Sequence, residues 1–228
     1  WSWEEIFWQS VEKKLNNKKT AGFNVTIPFK KDIIKHLDKI NTQAKTIGAV
    51  NCVTIGKKTK GINTDWVGYL NSVRGQIKNK KKNILILGYG GASQAIVYGF
   101  LLKGFKNITV FSRTKKSIRY KKINTYTKKY SLINSYISEA DLIINTTPTN
   151  PLKKKQLDLV NKNALISDIV YKPKHTAFLK KFQENKKIYG ISMLIEQAIP
   201  CFNEWFGFDP KVDSELIKKL NIKIKWQR

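Results

Sequence analysis

Short apolar runs alternate with amphipathic stretches almost from one end of the chain to the other. Ile84-Leu85-Ile86-Leu87 shows no apolar–polar alternation, as expected of a parallel strand buried on both faces. Val67, Leu70, Val73 and Ile77 instead recur at helical spacing. The rhythm predicts an α/β protein of two domains. Residues 22–29 read as a strand ended by Pro28, followed by a helical stretch with Ile33, Ile34 and Leu37 on one face. Residues 47–55 and 59–63 read as extended runs joined by the turn Gly56-Lys57-Lys58, and 66–78 as a connecting helix. Beyond it, strands are predicted at 83–87, 107–111, 141–145 and 164–168, separated by helical segments. Helices over 192–206 and 213–220 are expected to return to the first domain. The predicted division is therefore 1–65 with 192–228, and 66–191.

Composition fits a globule of ordinary core size, with 228 residues and 41% hydrophobic content. No run approaches the ~20 apolar residues of a membrane-spanning helix, and the opening stretch carries Glu4 and Glu5 where a secretory leader would be basic. A cytoplasmic protein without a membrane partner is expected. Cys52 and Cys201 lie far apart and outside any C-x-x-C pair, so two free thiols and no metal site are expected. The chain opens on Trp1, within an amphipathic stretch and not on methionine, as a piece of a longer protein would.

A formal net charge of +27 by itself suggests a polyanionic partner. Of the 43 basic residues, however, only Arg74, Arg113, Arg119 and Arg228 are arginine, the residue that nucleic-acid readers use for bidentate contacts. Lysine runs such as 80–82 and 153–155 read as solvated turns and helix faces. No specific nucleic-acid partner is expected, although the positive field would help collect small anions.

The sharpest local signal is Ile84-Leu85-Ile86-Leu87-Gly88-Tyr89-Gly90-Gly91-Ala92-Ser93-Gln94-Ala95, a glycine turn between a buried strand and an apolar helix. Such a turn seats a dinucleotide pyrophosphate. Gly88 permits the tight turn, Gly90 lets backbone approach phosphate, and the first amides of the helix at Gly91 and Ala92 face the negative charge. Ser93 stands where the usual fingerprint has its third glycine. NAD-binding proteins end the second strand of this unit with a carboxylate for the ribose hydroxyls. This chain has Ser112-Arg113-Thr114-Lys115-Lys116, whose cations suit a 2′-phosphate, so the expected cofactor is NADP.

Further segments accompany the turn in a fixed order: Asn24-Val25-Thr26-Ile27-Pro28-Phe29-Lys30, Gly48-Ala49-Val50-Asn51, Asn63-Thr64-Asp65-Trp66-Val67-Gly68, Asn145-Thr146-Thr147-Pro148, Asp168-Ile169-Val170-Tyr171-Lys172-Pro173 and 190–197. Together they resemble the shikimate/quinate dehydrogenase family. The resemblance implies a substrate domain and a Rossmann-like NADP domain that reversibly reduce 3-dehydroshikimate to shikimate with NADPH, on the route to chorismate and the aromatic amino acids. It implies Lys30 and Asp65 as the catalytic pair, with Thr26, Asn51, Tyr171 and Gln197 binding substrate. On the cofactor it places Gly88, Gly90, Gly91, Ala92, Ser112, Arg113, Thr114, Lys115, Thr146 and Ile169, with Gly190 and Met193 near the nicotinamide. A monomer or homodimer acting on a small molecule is implied.

The chemistry accounts for the residue types. Hydride arriving at a ketone carbon leaves an alkoxide that must take a proton as it forms, and a lysine ammonium oriented by a carboxylate can give it. Other roles are open at each position: Asp65 as a helix N-cap, Asn51 as a turn residue, Gln197 as a solvated helix residue and Tyr171 as core. His36 and His175 fall outside every motif. The family's opening Ser-x-Ser segment, which holds the substrate carboxylate, has no match before Asn24, and Thr149-Asn150 replaces a glycine often found after Asn-x-Thr-Pro. Two alternatives stand beside the main reading. One is a relative that oxidises quinate or uses NAD. The other is a non-catalytic basic binding module.

Overall fold

The computed structural model describes residues 3–15, 19–120 and 123–225, so Trp1 of the opening stretch lies outside the described residues. The chain forms two units: Trp1–Thr64 with Ile199–Pro210, and Asp65–Ala198 with Lys211–Arg228.

The first unit contains α1 (Trp3–Leu15), β1 (Gly22–Asn24), β2 (Lys39–Ile40), α2 (Thr42–Ile47), β3 (Cys52–Thr54) and β4 (Lys60–Ile62). Its strands form one sheet in the order β1-β3-β4-β2. β1 and β4 run antiparallel to β3, and β2 runs parallel to β4. Val11, Val25, Ile33, Ala44, Val50 and Val53 make its main core. The extended reading of 47–55 is too long at its start, because Ile47 ends a helix. Asn41 caps that helix by accepting the Ala44 amide at 2.8 Å, and Gly48 closes it in the left-handed region at φ 73°. The strand expected over 22–29 ends at Asn24, and the apolar positions 33 and 34 lie in a short 3-10 turn, Asp32–His36.

In the second unit come α3 (Asp65–Ser72), β5 (Ile84–Leu87), α4 (Gly91–Leu102), β6 (Ile108–Phe111), β7 (Ser117–Tyr120), β8 (Ile123–Tyr126), α5 (Asn134–Ile137), β9 (Leu142–Asn145), α6 (Lys154–Leu157), β10 (Leu165–Asp168) and β11 (Lys187–Tyr189). α7 (Gly190–Phe206) starts in this unit and contributes Ile199 onward to the first, and α8 (Ser214–Lys225) is grouped with the second. The central sheet is parallel throughout, in the order β11-β10-β9-β5-β6. Alternate residues of β5 enter opposite cores. Ile84 and Ile86 join Tyr69, Ile96 and Phe100 on one face, whereas Leu85 and Leu87 join Ile137, Ile166 and Phe178 on the other. This doubly wound, Rossmann-like layering is what the uninterrupted apolar runs require.

Besides the two-residue β2, a hairpin and an edge strand escaped the sequence pattern. β7 and β8 form an antiparallel hairpin where a helical segment was expected, and β11 adds an edge strand of three residues. Lys128, just past the hairpin, bridges Phe111 in parallel and extends the sheet beyond β6.

Candidate active site

The order of the central strands fixes where a ligand can sit. β6 lies on one side of β5 and β9 on the other, so the chain reverses direction across the sheet at the β5–β9 boundary. The loops leaving the two strands diverge there and open a crevice at their carboxyl ends. The glycine turn after β5 and the 146–149 loop after β9 form its walls. Gly88 has φ 98°, and a Cβ there would stand 2.7 Å from Thr146 Oγ1, so both conformation and space demand glycine. Thr146 Oγ1 donates to Leu87 O at 2.7 Å, which ties the two loops together. At Gly90 the backbone is extended and a Cβ would meet no protein atom within 4 Å. Gly90 caps α4 with no side chain, and the first amides of an α-helix have no intrahelical acceptor, so these groups suit a phosphate.

Ser93 in the third glycine's position is fully buried and donates its hydroxyl to Gly88 O at 2.8 Å. The serine therefore reinforces the turn from beneath. Ala92 and Ala95 are buried.

At the end of β6, Arg113, Thr114 and Lys115 are exposed, whereas Ser112 is turned inward. The Ser112 hydroxyl lies 2.5 Å from Thr114 O and 2.6 Å from Thr127 Oγ1, which shapes the turn that presents its neighbours. Lys115 Nζ sits 4.3 Å from the centroid of the Tyr126 ring, a cation–π contact across the hairpin. The Tyr130 hydroxyl is buried with no hydrogen-bond partner, and burial pushes its pKa up to about 12. The Gly88 peptide and the Arg113 guanidinium pull weakly the other way.

Asn145, at the end of β9, is buried and organises its loop. Nδ2 donates to the carbonyls of Thr147 and Thr149, and Oδ1 accepts from the Thr147 amide and hydroxyl. Asp168, at the end of β10, does the same for the next loop by accepting from Val170 N at 3.0 Å and Thr176 Oγ1 at 2.6 Å. Burial raises the Asp168 pKa against the pull of these donors. Its loop then meets α7: a Cβ on Gly190 would stand 2.5 Å from Ile169 O, so Ile169 and Gly190 are brought together. Tyr171, in the same loop, is 42% exposed and is not core. Met193 is buried in the face that holds Ile86 and Ile144, with Ile169 and Tyr89 packed at its edge.

Asp65 is 3% exposed and opens α3, where a negative charge complements the helix dipole. One turn on, a Cβ at Gly68 would stand 2.5 Å from Gln197 Cβ, so Gly68 exists to let α3 lie against α7 at Gln197. Gln197 is half-buried and donates Nε2 to Leu194 O at 2.9 Å.

In the first unit, the segment carrying Thr26 and Lys30 folds over Val50 and Asn51. Val25 N donates to Asn51 O at 2.8 Å and Val50 N to Lys30 O at 2.7 Å. Thr26 is exposed and its carbonyl accepts from Phe29 N at 3.0 Å, while Lys30 is half-buried. Asn51 is 2% exposed; its Nδ2 donates to Thr64 Oγ1 at 2.8 Å, and its Oδ1 accepts from Thr64 N at 2.7 Å. Asn63 Nδ2 donates to Ala49 O at 3.0 Å, so two motifs distant in sequence are sewn into one loop pair. Thr64, Asn145 and Ser93 belong to the quoted motifs but carry no role that the sequence alone would assign. Their importance lies in hydrogen bonds that only the fold reveals.

A cleft of about 310 Å³ lined by Asn83, Lys106, Asn107, Tyr136 and Glu139 lies at the amino ends of β5 and β6. It is at the wrong end of the sheet for the ligands of a parallel α/β unit. Among the described residues, no group of three or more His, Cys, Asp or Glu could hold a metal ion, and no helix is long and apolar enough to cross a membrane.

Comparison with known proteins agrees with this geometry. Residues 4–53 match the family model for the shikimate dehydrogenase substrate binding domain, and residues 71–176 match the model for shikimate / quinate 5-dehydrogenase. The chain is 40% identical over 203 residues to shikimate dehydrogenase (NADP(+)) of Aquifex aeolicus, covering 83% of this chain and 72% of that protein. To the protein of the same name from Methanococcus vannielii it is 36% identical over 239 residues, covering 92% and 81%. The crystal structure of shikimate 5-dehydrogenase from Thermus thermophilus in complex with NADP(H) and shikimate superposes with a TM-score of 0.76 at 25% identity, covering 98% of this chain and 85% of that one.

Proposed function

Because the chain belongs to the shikimate dehydrogenase family, we infer that it catalyses the reversible, NADPH-dependent reduction of 3-dehydroshikimate to shikimate. The observation that carries this is the 40% identity to an NADP(+) shikimate dehydrogenase over 72% of that protein's length. The chain's own residues suit the cofactor: Gly88, Gly90, Gly91 and Ala92 offer backbone to a pyrophosphate at the switch point. Arg113, Thr114 and Lys115, held by the inward Ser112, offer donors to a 2′-phosphate, and no carboxylate competes there. Thr146 and Ile169 are assigned to the cofactor, and Gly190 and Met193 to its nicotinamide end.

When bound, NADPH supplies the hydride. We assign the accompanying proton to the Lys30 ammonium, which gives it to the oxygen that becomes the hydroxyl. Asp65 is assigned to orient that ammonium and to accept from the substrate hydroxyls. Thr26, Asn51, Tyr171 and Gln197 are assigned to hold the substrate. Residues 1–65 with 192–228 form the proposed substrate domain, and 66–191 the NADP domain. A cytoplasmic location is proposed, supported by Cys52 and Cys201, which are buried and joined in no disulfide.

Lys30→Ala separates these roles. Turnover should fall by about 10²- to 10⁴-fold, the range of a lost general acid. The NADPH dissociation constant, read by nicotinamide fluorescence, should stay within about twofold of the parent (well under 1 kcal/mol). Equal turnover would remove Lys30 from the chemistry.

A further inference from the structure

No aspartate or glutamate occurs between Asp65 and Glu139, so the loop 113–116 and the hairpin that follows it gather cations with no acid of their own to pair. Lys115 is exposed in that loop. A lysine on a long flexible stem surrenders rotamer freedom when a ligand fixes it, and that cost comes out of the affinity.

Tyr126 offers the ammonium a resting place. It pairs with Ser117 in the β7–β8 hairpin, which makes Lys115, two residues before Ser117, its diagonal neighbour across the two chains. Long side chains and rings bridge such a spacing. The ring is 52% exposed, and Lys115 Nζ lies 4.3 Å from its centroid. The backbone around the contact is fixed on both sides of Lys115. Lys116 N donates to Thr127 Oγ1 at 2.9 Å and Thr127 N to Lys116 O at 2.9 Å, while Ser112 N donates to Lys128 O at 3.0 Å. The loop is thus clamped to the strand that leaves the hairpin, with Lys115 between the clamps and Tyr126 next to one of them.

An aromatic face differs from a carboxylate in what it leaves behind. An aspartate holding Lys115 would cancel its charge and repel an incoming phosphate. A ring attracts the ammonium through its quadrupole, adds no charge, and leaves N–H donors to an anion.

We propose that Tyr126 is a positioning residue for the 2′-phosphate of NADP: its ring holds the Lys115 ammonium beside Arg113 and Thr114 with its charge intact, and so adds to the preference for NADP over NAD. The proposal rests on the reading of residues 113–115 as the 2′-phosphate site. NAD carries a hydroxyl where NADP carries that phosphate, so a held ammonium gains little from it.

Fluorescence titration with NADPH and with NADH tests this on the unmodified chain, Tyr126→Leu, Tyr126→Phe, Lys115→Met and the double variant Lys115→Met/Tyr126→Leu. Tyr126→Leu should raise the NADPH dissociation constant about two- to fivefold, the size of an exposed cation–π contact, with NADH binding unchanged. Tyr126→Phe keeps a ring face and should bind NADPH as the parent does. Because Tyr126 acts through the ammonium, Tyr126→Leu should have no further effect once Lys115 is replaced by methionine. An unchanged NADPH constant in Tyr126→Leu would overturn the proposal. So would an equal loss of NADPH and NADH, which would put the ring on the adenosine that both share or reduce it to support of the loop, and so would a loss that persists in the Lys115→Met background. If Tyr126→Leu does not fold, Tyr126→Thr, whose branched side chain suits a strand, takes its place with the same expected rise. An unmodified chain that binds NADPH no better than NADH would instead refute the cofactor reading, and the proposal with it.

Discussion

Gly88 and Gly90 sit two residues apart and need to be glycine for unrelated reasons. Gly88 holds a left-handed φ with Thr146 and Thr147 pressed against the space a Cβ would take, so its constraint is internal. Gly90 has an ordinary φ and empty space above it, so its constraint comes from what binds there. Gly88→Ala should therefore lower stability by about 1–3 kcal/mol, the cost of an unfavourable backbone with a clash. Gly90→Ala should leave stability within about 0.5 kcal/mol yet weaken NADPH binding about tenfold or more. Thermal unfolding with fluorescence titration of both variants checks the contrast, and equal behaviour of the two would refute it. The glycines were legible in the sequence because a turn between a buried strand and an apolar helix has few other uses. Ser93 was legible only as a departure, since nothing in the chain announces that its hydroxyl will reach back to Gly88 O. Cys52 and Cys201 were read as unrelated thiols, and their contact depends on α7 returning to the first unit, which no local spacing encodes.

At the scale of elements, strands buried on both faces were the easiest to read. β5, β6, β9 and β10 fall within a residue or two of the apolar runs that predicted them. The misses are short elements stabilised by their surroundings. β2 and β11 have two and three residues, too few for any period to show, and the β7–β8 hairpin replaces a helix in a polar, lysine-rich stretch with no clear pattern. The carboxyl ends of β9 and β10 are each braced by one buried polar residue, Asn145 and Asp168. For Asp168 this has a consequence in pH. Its folded pKa is raised above the ordinary carboxyl value, so the folded state holds the proton more tightly than the unfolded chain. Its contribution to stability is complete below the unfolded value and is lost as pH rises through the raised one. Asp168→Asn removes this titration. The melting temperature of the variant relative to the parent should therefore climb from about pH 4 toward neutrality, and a flat difference would show that burial does not govern this carboxyl.

At the scale of the whole molecule, the rhythm of apolar runs predicted an α/β protein of two domains with parallel strands buried on both faces, and the fold is α/β with such a sheet in its second unit. The positive charge adds a long-range effect that no single contact contains. With 43 basic and 16 acidic residues, the surface potential should draw an anionic dinucleotide inward, and salt should screen that attraction. kcat/KM for NADPH is expected to fall several-fold between about 0.05 and 0.5 M NaCl, with kcat nearly unchanged, and a salt-independent kcat/KM would mean that only local contacts matter. The activity assigned to the molecule is the reduction of 3-dehydroshikimate. Its most direct test is the loss of NADPH absorbance when the full chain meets 3-dehydroshikimate, run in parallel with NADH. Stoichiometric conversion to shikimate with NADPH, and much slower conversion with NADH, is the predicted result. A folded chain that binds NADPH but turns over no 3-dehydroshikimate with either cofactor would contradict it.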